Sequence, residues 1–144
     1  MMQTVAHILN NKATQDIYTI SPDATVLEAL TLMADKGIGA LVVTQDSKVV
    51  GIISERDYAR KVALMERSSY STSVSDIMTH AVLTVTPQHS TKHCMKLMTD
   101  KHLRHLPVVD NDKLTGLVSI GDLVKNVMAE QQSLIDQLQN YISG

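Results

Sequence analysis

The chain has 144 residues, 44% apolar and 19% charged, with a formal net charge of −2; it suits one globular domain, or two packed halves of about 70 residues that would each be marginal alone. It has no Trp, no Phe and no Lys/Arg block, so it lacks the cationic footprint and stacking platforms of a nucleic-acid binder. No apolar run reaches the ~18 residues of a membrane span, and MMQTVAHILNNK lacks the apolar core of a secretory signal, which predicts a cytoplasmic protein with no membrane partner.

Sliding the sequence against itself by 65 places aligns Thr19–Val62 with Thr84–Val127 without a gap, and 13 of the 44 pairs are identical, where chance gives roughly three. The chain is one unit written twice. Each unit opens with an extended piece ending at proline, YTISP and VLTVTP, because the residue before Pro avoids the helical region. A helix follows, with Val26, Leu30, Met33 and Ala34 on one apolar face and Cys94, Met95, Leu97 and Met98 on the other unit's equivalent. A hairpin comes next, ALVVT and KVVGIIS around Gln45–Ser47, LPVVD and KLTGLVS around Asn111–Asp112, residues that turns favour. A second helix starts after each Ser of a repeated Gly-x-x-Ser-x-x-Asp, at Gly51, Ser54, Asp57 and at Gly116, Ser119, Asp122. The last helix is expected to run on through MAEQQSLIDQLQNYI with Val127, Leu134, Leu138 and Ile142 as one stripe. The expected division is a first unit 1–65, a Ser-rich surface linker 66–73, a second unit 74–130 and a helical extension 131–144.

Ser before a helix with an acidic residue three places on has the form of a capping box, so the repeated motif has a purely structural reading. The lone Cys94 excludes an internal disulfide and reads as packing. His89 and His93 are four apart on a predicted helix, but no third ligand completes a metal set. No phosphate-binding glycine loop and no nucleophile with an evident base is present, so neither catalytic nor metal-binding residues are expected, and no cofactor is required.

The β-α-β-β-α repeat with Gly-h-h-Ser-x-x-Asp closing each hairpin, the DIMT at 76–79, DKGIGALVVTQDSKVVGIISERDYARK at 35–61 and DKHLRHLPVVDNDKLTGLVSIGDLVK at 100–125 resemble a cystathionine-β-synthase (CBS) domain pair, or Bateman module, of the stand-alone bacterial type. The resemblance covers nearly the whole chain. It implies an α/β (α+β) fold of tandem units packed with pseudo-two-fold symmetry, and a homodimer. It also implies a regulatory module in signal transduction that binds an adenosine ligand (AMP, ADP, ATP, NAD or S-adenosylmethionine) in two clefts and acts on an effector protein; the alternative is a dimeric interaction scaffold with vestigial clefts. On that likeness Asp57 and Asp122 accept hydrogen bonds from a ribose diol, with Ser54 and Ser119 beside them at helix N-termini suited to phosphate. The halves exchange parts, so the Asp122 cleft is expected to draw on Lys12 to Tyr18, Ile38 and Gly39. The Asp57 cleft is expected to draw on Thr79, His80, Ala81, Val82, Leu103 and Arg104. Arg104, His105, Arg56 and Arg60 are candidate phosphate contacts. Gly39 and Ala40 stand where the other unit has Arg104 and His105, so the two clefts are expected to be chemically unequal.

Overall fold

The computed structural model describes residues 3–12 and 16–143. Its elements are α1 (Val5–Asn11), β1 (Thr19–Ile20), α2 (Val26–Lys36), β2 (Ala40–Gln45), β3 (Lys48–Ser54), α3 (Glu55–Tyr58) running into a π-helical stretch Ala59–Ala63, α4 (Val74–Ile77), α5 (Thr91–Lys101), β4 (His105–Asp110), β5 (Lys113–Ser119) and α6 (Ile120–Ser143). β1 lies parallel to β2 and β2 antiparallel to β3; β4 and β5 form a second antiparallel pair. This is the mixed α+β fold expected from the repeat.

Both hairpins turn on two residues with positive φ, Asp46 and Ser47 in one and Asn111 and Asp112 in the other, the conformation of a type I′ turn. α2 is capped by Thr25 Oγ1, which accepts from Glu28 N at 3.2 Å, and ends on left-handed Gly37. α5 repeats this with Ser90 and left-handed His102.

The second unit departs from the expected pattern in three places. VLTVTP forms no strand but one parallel bridge, Val85 to Val108, with Val85 N donating to Pro107 O and Val109 N to Val85 O. Pro107 stands where the first unit has Val42 and has no amide with which to extend the ladder. Met95 is exposed rather than part of the helix's core face, because the buried stripe runs Thr91, Cys94, Met98. His89 precedes the cap Ser90 instead of lying in the helix; its Nδ1 accepts from Thr86 N at 2.9 Å.

Each half's core is completed by a helix from outside its repeat. Val74, Ile77 and Met78 lie in the core with Val26, Met33, Leu41 and Ile53. Val5 and Ile8 lie in the core with Cys94, Leu106, Val118 and Leu123. The docking bonds are reciprocal. Val74 N donates to Ala24 O, Ser75 N to Pro22 O and Val26 N to Thr72 O; Val5 N donates to His89 O, Ala6 N to Pro87 O and Thr91 N to Gln3 O. A four-residue or seven-residue helix is too short to hold itself, so α4 and α1 owe their form to this docking, worth about 1.5–3 kcal/mol for each fully buried Val or Ile. The same crossing explains the repeated glycines. A Cβ on Gly51 would lie 2.5 Å from Met78 Sδ and 3.0 Å from Thr79 O, and one on Gly116 would lie 2.7 Å from Leu9 Cδ2.

The Ser-rich segment is exposed at 66–68, 70 and 71, but Thr72 is buried, and Ser69 O and Thr72 O accept from Leu27 N and Val26 N at the start of α2. α6 is one continuous 24-residue helix whose outer half is exposed along Leu134, Ile135, Leu138 and Ile142. Among the described residues no helix is long and apolar enough to cross a membrane.

Gly51→Ala is expected to cost about 1–3 kcal/mol, since Met78 and the Thr79 backbone must shift. Gly39→Ala, whose Cβ would meet nothing within 4 Å, is expected to be near neutral. Urea unfolding followed by circular dichroism measures both, and equal losses would contradict the packing role given to Gly51.

Candidate functional site

Each Gly-x-x-Ser-x-x-Asp ends a hairpin and opens a helix, and both Asp side chains close a capping box. Asp57 Oδ2 accepts from Ser54 N at 2.9 Å and Ser54 Oγ at 3.0 Å, while Asp57 N donates to Ser54 Oγ at 3.2 Å. Asp122 Oδ2 accepts from Ser119 N at 2.9 Å and Asp122 N donates to Ser119 Oγ at 3.1 Å. Capping therefore occupies one carboxylate oxygen of each pair. The other oxygen lies outside the box; in Asp57 it is 3.5 Å from Lys61 Nζ.

A cavity of about 220 Å³ collects Ser54, Asp57, Arg56 and Arg60 from the first half and Thr79, Leu103, Arg104 and His105 from the second. The expected Asp57 cleft thus has both its walls. Of the expected Thr79–Val82 stretch only Thr79 lines it, held against β3 by mutual hydrogen bonds with Ile52. His80, Ala81 and Val82 are not in the wall: Val82 N donates to His80 O at 3.0 Å, a three-residue turn that carries the chain away. Two lining residues were missed from the sequence, Ile52 and His102. The repeat points to His102, which stands in the left-handed position held by Gly37 in the first unit.

Three guanidiniums face this cleft. Arg104 and Arg60 push the pKa of Arg56 below its usual value, burial adds slightly, and Asp57 opposes them. Among the described residues the ion pairs are Lys61 with Asp57 Oδ1 at 3.5 Å and Lys12 with Asp122 Oδ2 at 3.1 Å; neither uses an arginine. Lys61, unforeseen from the sequence, also donates to Ile77 O at 2.9 Å and so ties α4 to the Asp57 helix.

The second cleft, about 360 Å³, gathers Lys12, Tyr18, Ile38, Gly39, Ala40, Leu117, Ser119 and His105. Residues 13–15 of the expected Lys12–Tyr18 stretch lie outside the described residues. Asp122 does not face this space. Lys12 Nζ stands between, bound to Asp122 and donating to Leu117 O at 2.8 Å. Asp122 lines instead a separate cavity between α1 and α6 with Gln3, Lys12, Lys125 and Asn126. The two carboxylates are equally accessible, 16% exposed for Asp57 and 17% for Asp122, so the clefts differ through their cations and not through burial of the acid.

A model of the CBS domain matches residues 5–64 and 74–129. The chain is 54% identical to a CBS-domain protein of known structure from Burkholderia ambifaria, with a TM-score of 0.85, covering 90% of this chain and 96% of that one. It is 43% identical over 127 residues to the mitochondrial CBS domain-containing protein CBSX3 of Arabidopsis thaliana, covering 85% of this chain but spanning only 62% of that relative. It is 25% identical to CBSX2, solved in complex with AMP, with a TM-score of 0.73, covering 88% of this chain and 97% of that one.

His105 lines both clefts. Burial lowers its pKa from the ordinary 6.5, Asp122 pulls the other way, and Lys12 and Arg104 add to the lowering. The unfolded chain then binds more protons than the folded one in the ordinary histidine range, so this contribution to stability rises with pH and is lost as pH falls below about 6.5. Urea unfolding between about pH 7.5 and 5.5 is expected to show a smaller loss for His105→Gln than for the parent. Identical losses would contradict the neutral, buried imidazole.

Proposed function

This chain belongs to the CBS-domain family, with two such domains in tandem, and on that premise we propose that it is a non-catalytic module that binds an adenine nucleotide and signals its presence to an effector protein. The observation that carries the reading is one cavity holding an accessible carboxylate, Asp57, at a helix N-terminus together with Arg56, Arg60 and Arg104. A carboxylate oxygen left over from capping suits a ribose hydroxyl. Guanidinium forks suit phosphate oxygens, and Arg104 and Arg60 both act on Arg56 as like charges, a repulsion that an entering anion relieves. AMP, ADP and ATP meet that pattern; NAD and S-adenosylmethionine share the ribose. The adenine part leans on the likeness to CBSX2, whose structure holds AMP.

Regulation follows from the walls. Because the Asp57 cavity draws side chains from both halves, a ligand that bridges them favours the arrangement it fits, by as much as its affinity differs between arrangements. A cytoplasmic setting belongs to the same proposal. Saturating AMP is expected to raise the melting temperature, by the equivalent of about 2.7 kcal/mol at a hundred times Kd. Asp57→Asn keeps a carbonyl oxygen for the Ser54 amide and removes the charge, so AMP affinity should fall about ten- to a hundredfold while ligand-free stability changes by less than about 1 kcal/mol. Unchanged affinity in this variant would refute the ribose role.

The outer face of α6 favours self-association. Val124, Met128, Ile135, Leu138 and Ile142 are exposed and recur at heptad spacing, with Gln131 in the remaining seam position. We infer a homodimer paired through this face. Light scattering should give twice the 15.8 kDa chain mass, and Ile135→Asp with Leu138→Asp should halve it; a monomeric parent would overturn the inference.

A further inference from the structure

We propose that the two clefts take different chemical forms of the ligand: the Asp57 cleft a phosphorylated adenosine, and the Asp122 cleft an adenosine without phosphate. The inference rests on the adenosine reading above and adds the specificity of each cleft. The repeat supplies the internal comparison. Arg56, Arg60 and Arg104, which line the first cleft, correspond at the offset of 65 to Gly121, Lys125 and Gly39. Of these only Gly39 lines the second cleft, while Lys125 faces the separate cavity between α1 and α6.

Among the described residues, two basic side chains line the second cleft, Lys12 and His105. The Lys12 ammonium is already engaged by Asp122 and by Leu117 O, and burial disfavours a charged His105. Asp16 adds a carboxylate to the wall, accepting from Tyr18 at 3.3 Å. A phosphate monoester carries about −1.5 to −2 at pH 7, and entering here it would meet one committed ammonium and the Asp16 carboxylate, with no arginine among the described lining residues. Besides Gly39 and Ser119, the described wall is Ile17, Tyr18, Ile38, Ala40 and Leu117, an apolar surface that suits a purine face. A ribose hydroxyl donating to Asp122 Oδ1, with Lys12 kept on Oδ2, completes the recognition of a nucleoside.

Calorimetric titration with AMP and separately with adenosine tests this on the parent, Asp57→Asn, Asp122→Asn and the reciprocal pair Arg104→Gly and Gly39→Arg. A Cβ at Gly39 would meet nothing within 4 Å. AMP should bind once per chain, weakened about tenfold or more by Asp57→Asn and by Arg104→Gly and within about twofold of the parent in Asp122→Asn. In the Asp57→Asn background adenosine should still titrate to one site, which Asp122→Asn removes. Gly39→Arg should add a second AMP per chain. Two AMP molecules in the parent, lost equally with either aspartate, or AMP affinity indifferent to Arg104→Gly, would overturn the division of ligands. Binding of neither probe would instead overturn the adenosine reading beneath it.

Discussion

The structure depends on an exchange. Each half lends a short helix to the other's core, α4 to the first and α1 to the second, through three matched hydrogen bonds and a pair of buried aliphatic residues on each side. Neither helix is long enough to form without its docking site, and neither core is filled without the borrowed helix. The chain leaving α4 then passes along β3, where Thr79 bonds to Ile52 and becomes one wall of the Asp57 cleft. The cleft is therefore a product of the crossing, and anything bound there touches the contact between the halves.

The repeated Gly-x-x-Ser-x-x-Asp condenses three demands into seven residues. Gly51 and Gly116 are small because Met78 and Leu9, delivered by the crossing helices, lie against them. Ser54 and Ser119 cap the following helix, and Asp57 and Asp122 return the bond to the Ser amide. Capping and ligand chemistry do not compete here, because a carboxylate has two oxygens and the box uses one. What differs between the halves is which carboxylate oxygen a lysine takes, Oδ1 of Asp57 and Oδ2, the capping oxygen, of Asp122. A lysine one helical turn on, Lys61, serves Asp57 from outside the cleft. For Asp122 the cation is Lys12, which stands at the cleft mouth.

Much of this was legible in the sequence. Pairing at an offset of 65 located both hairpins, both capped helices and the two aspartates, because those elements have the same length in each half. The exchanged helices escaped that comparison. Val5, Ile8 and Leu9 correspond to Val74, Ile77 and Met78 at an offset of 69, since the connection from α1 to β1 is four residues longer than its counterpart, and a gapless alignment cannot see across the difference. Lys12 lies in that longer connection, so its hold on Asp122 had no repeat partner to announce it. The short second-half strand was hidden for another reason: VLTVTP has strand character of its own, and it is Pro107 on the neighbouring β4 that denies it a ladder. The asymmetry of charge, by contrast, was readable from Arg104 facing Gly39 in the alignment, and the structure puts Arg104 in the Asp57 cleft and Gly39 in the other.

The central claim is that a cleft built by the crossing of two halves holds a nucleotide by ribose on one side and phosphate on the other. A crystal structure of the protein grown with AMP tests it most directly. The expected result is a ribose hydroxyl within about 3 Å of an Asp57 carboxylate oxygen, with the phosphate against at least two of Arg56, Arg60 and Arg104. AMP bound with its phosphate away from those arginines, or at a site confined to one half, would contradict the account.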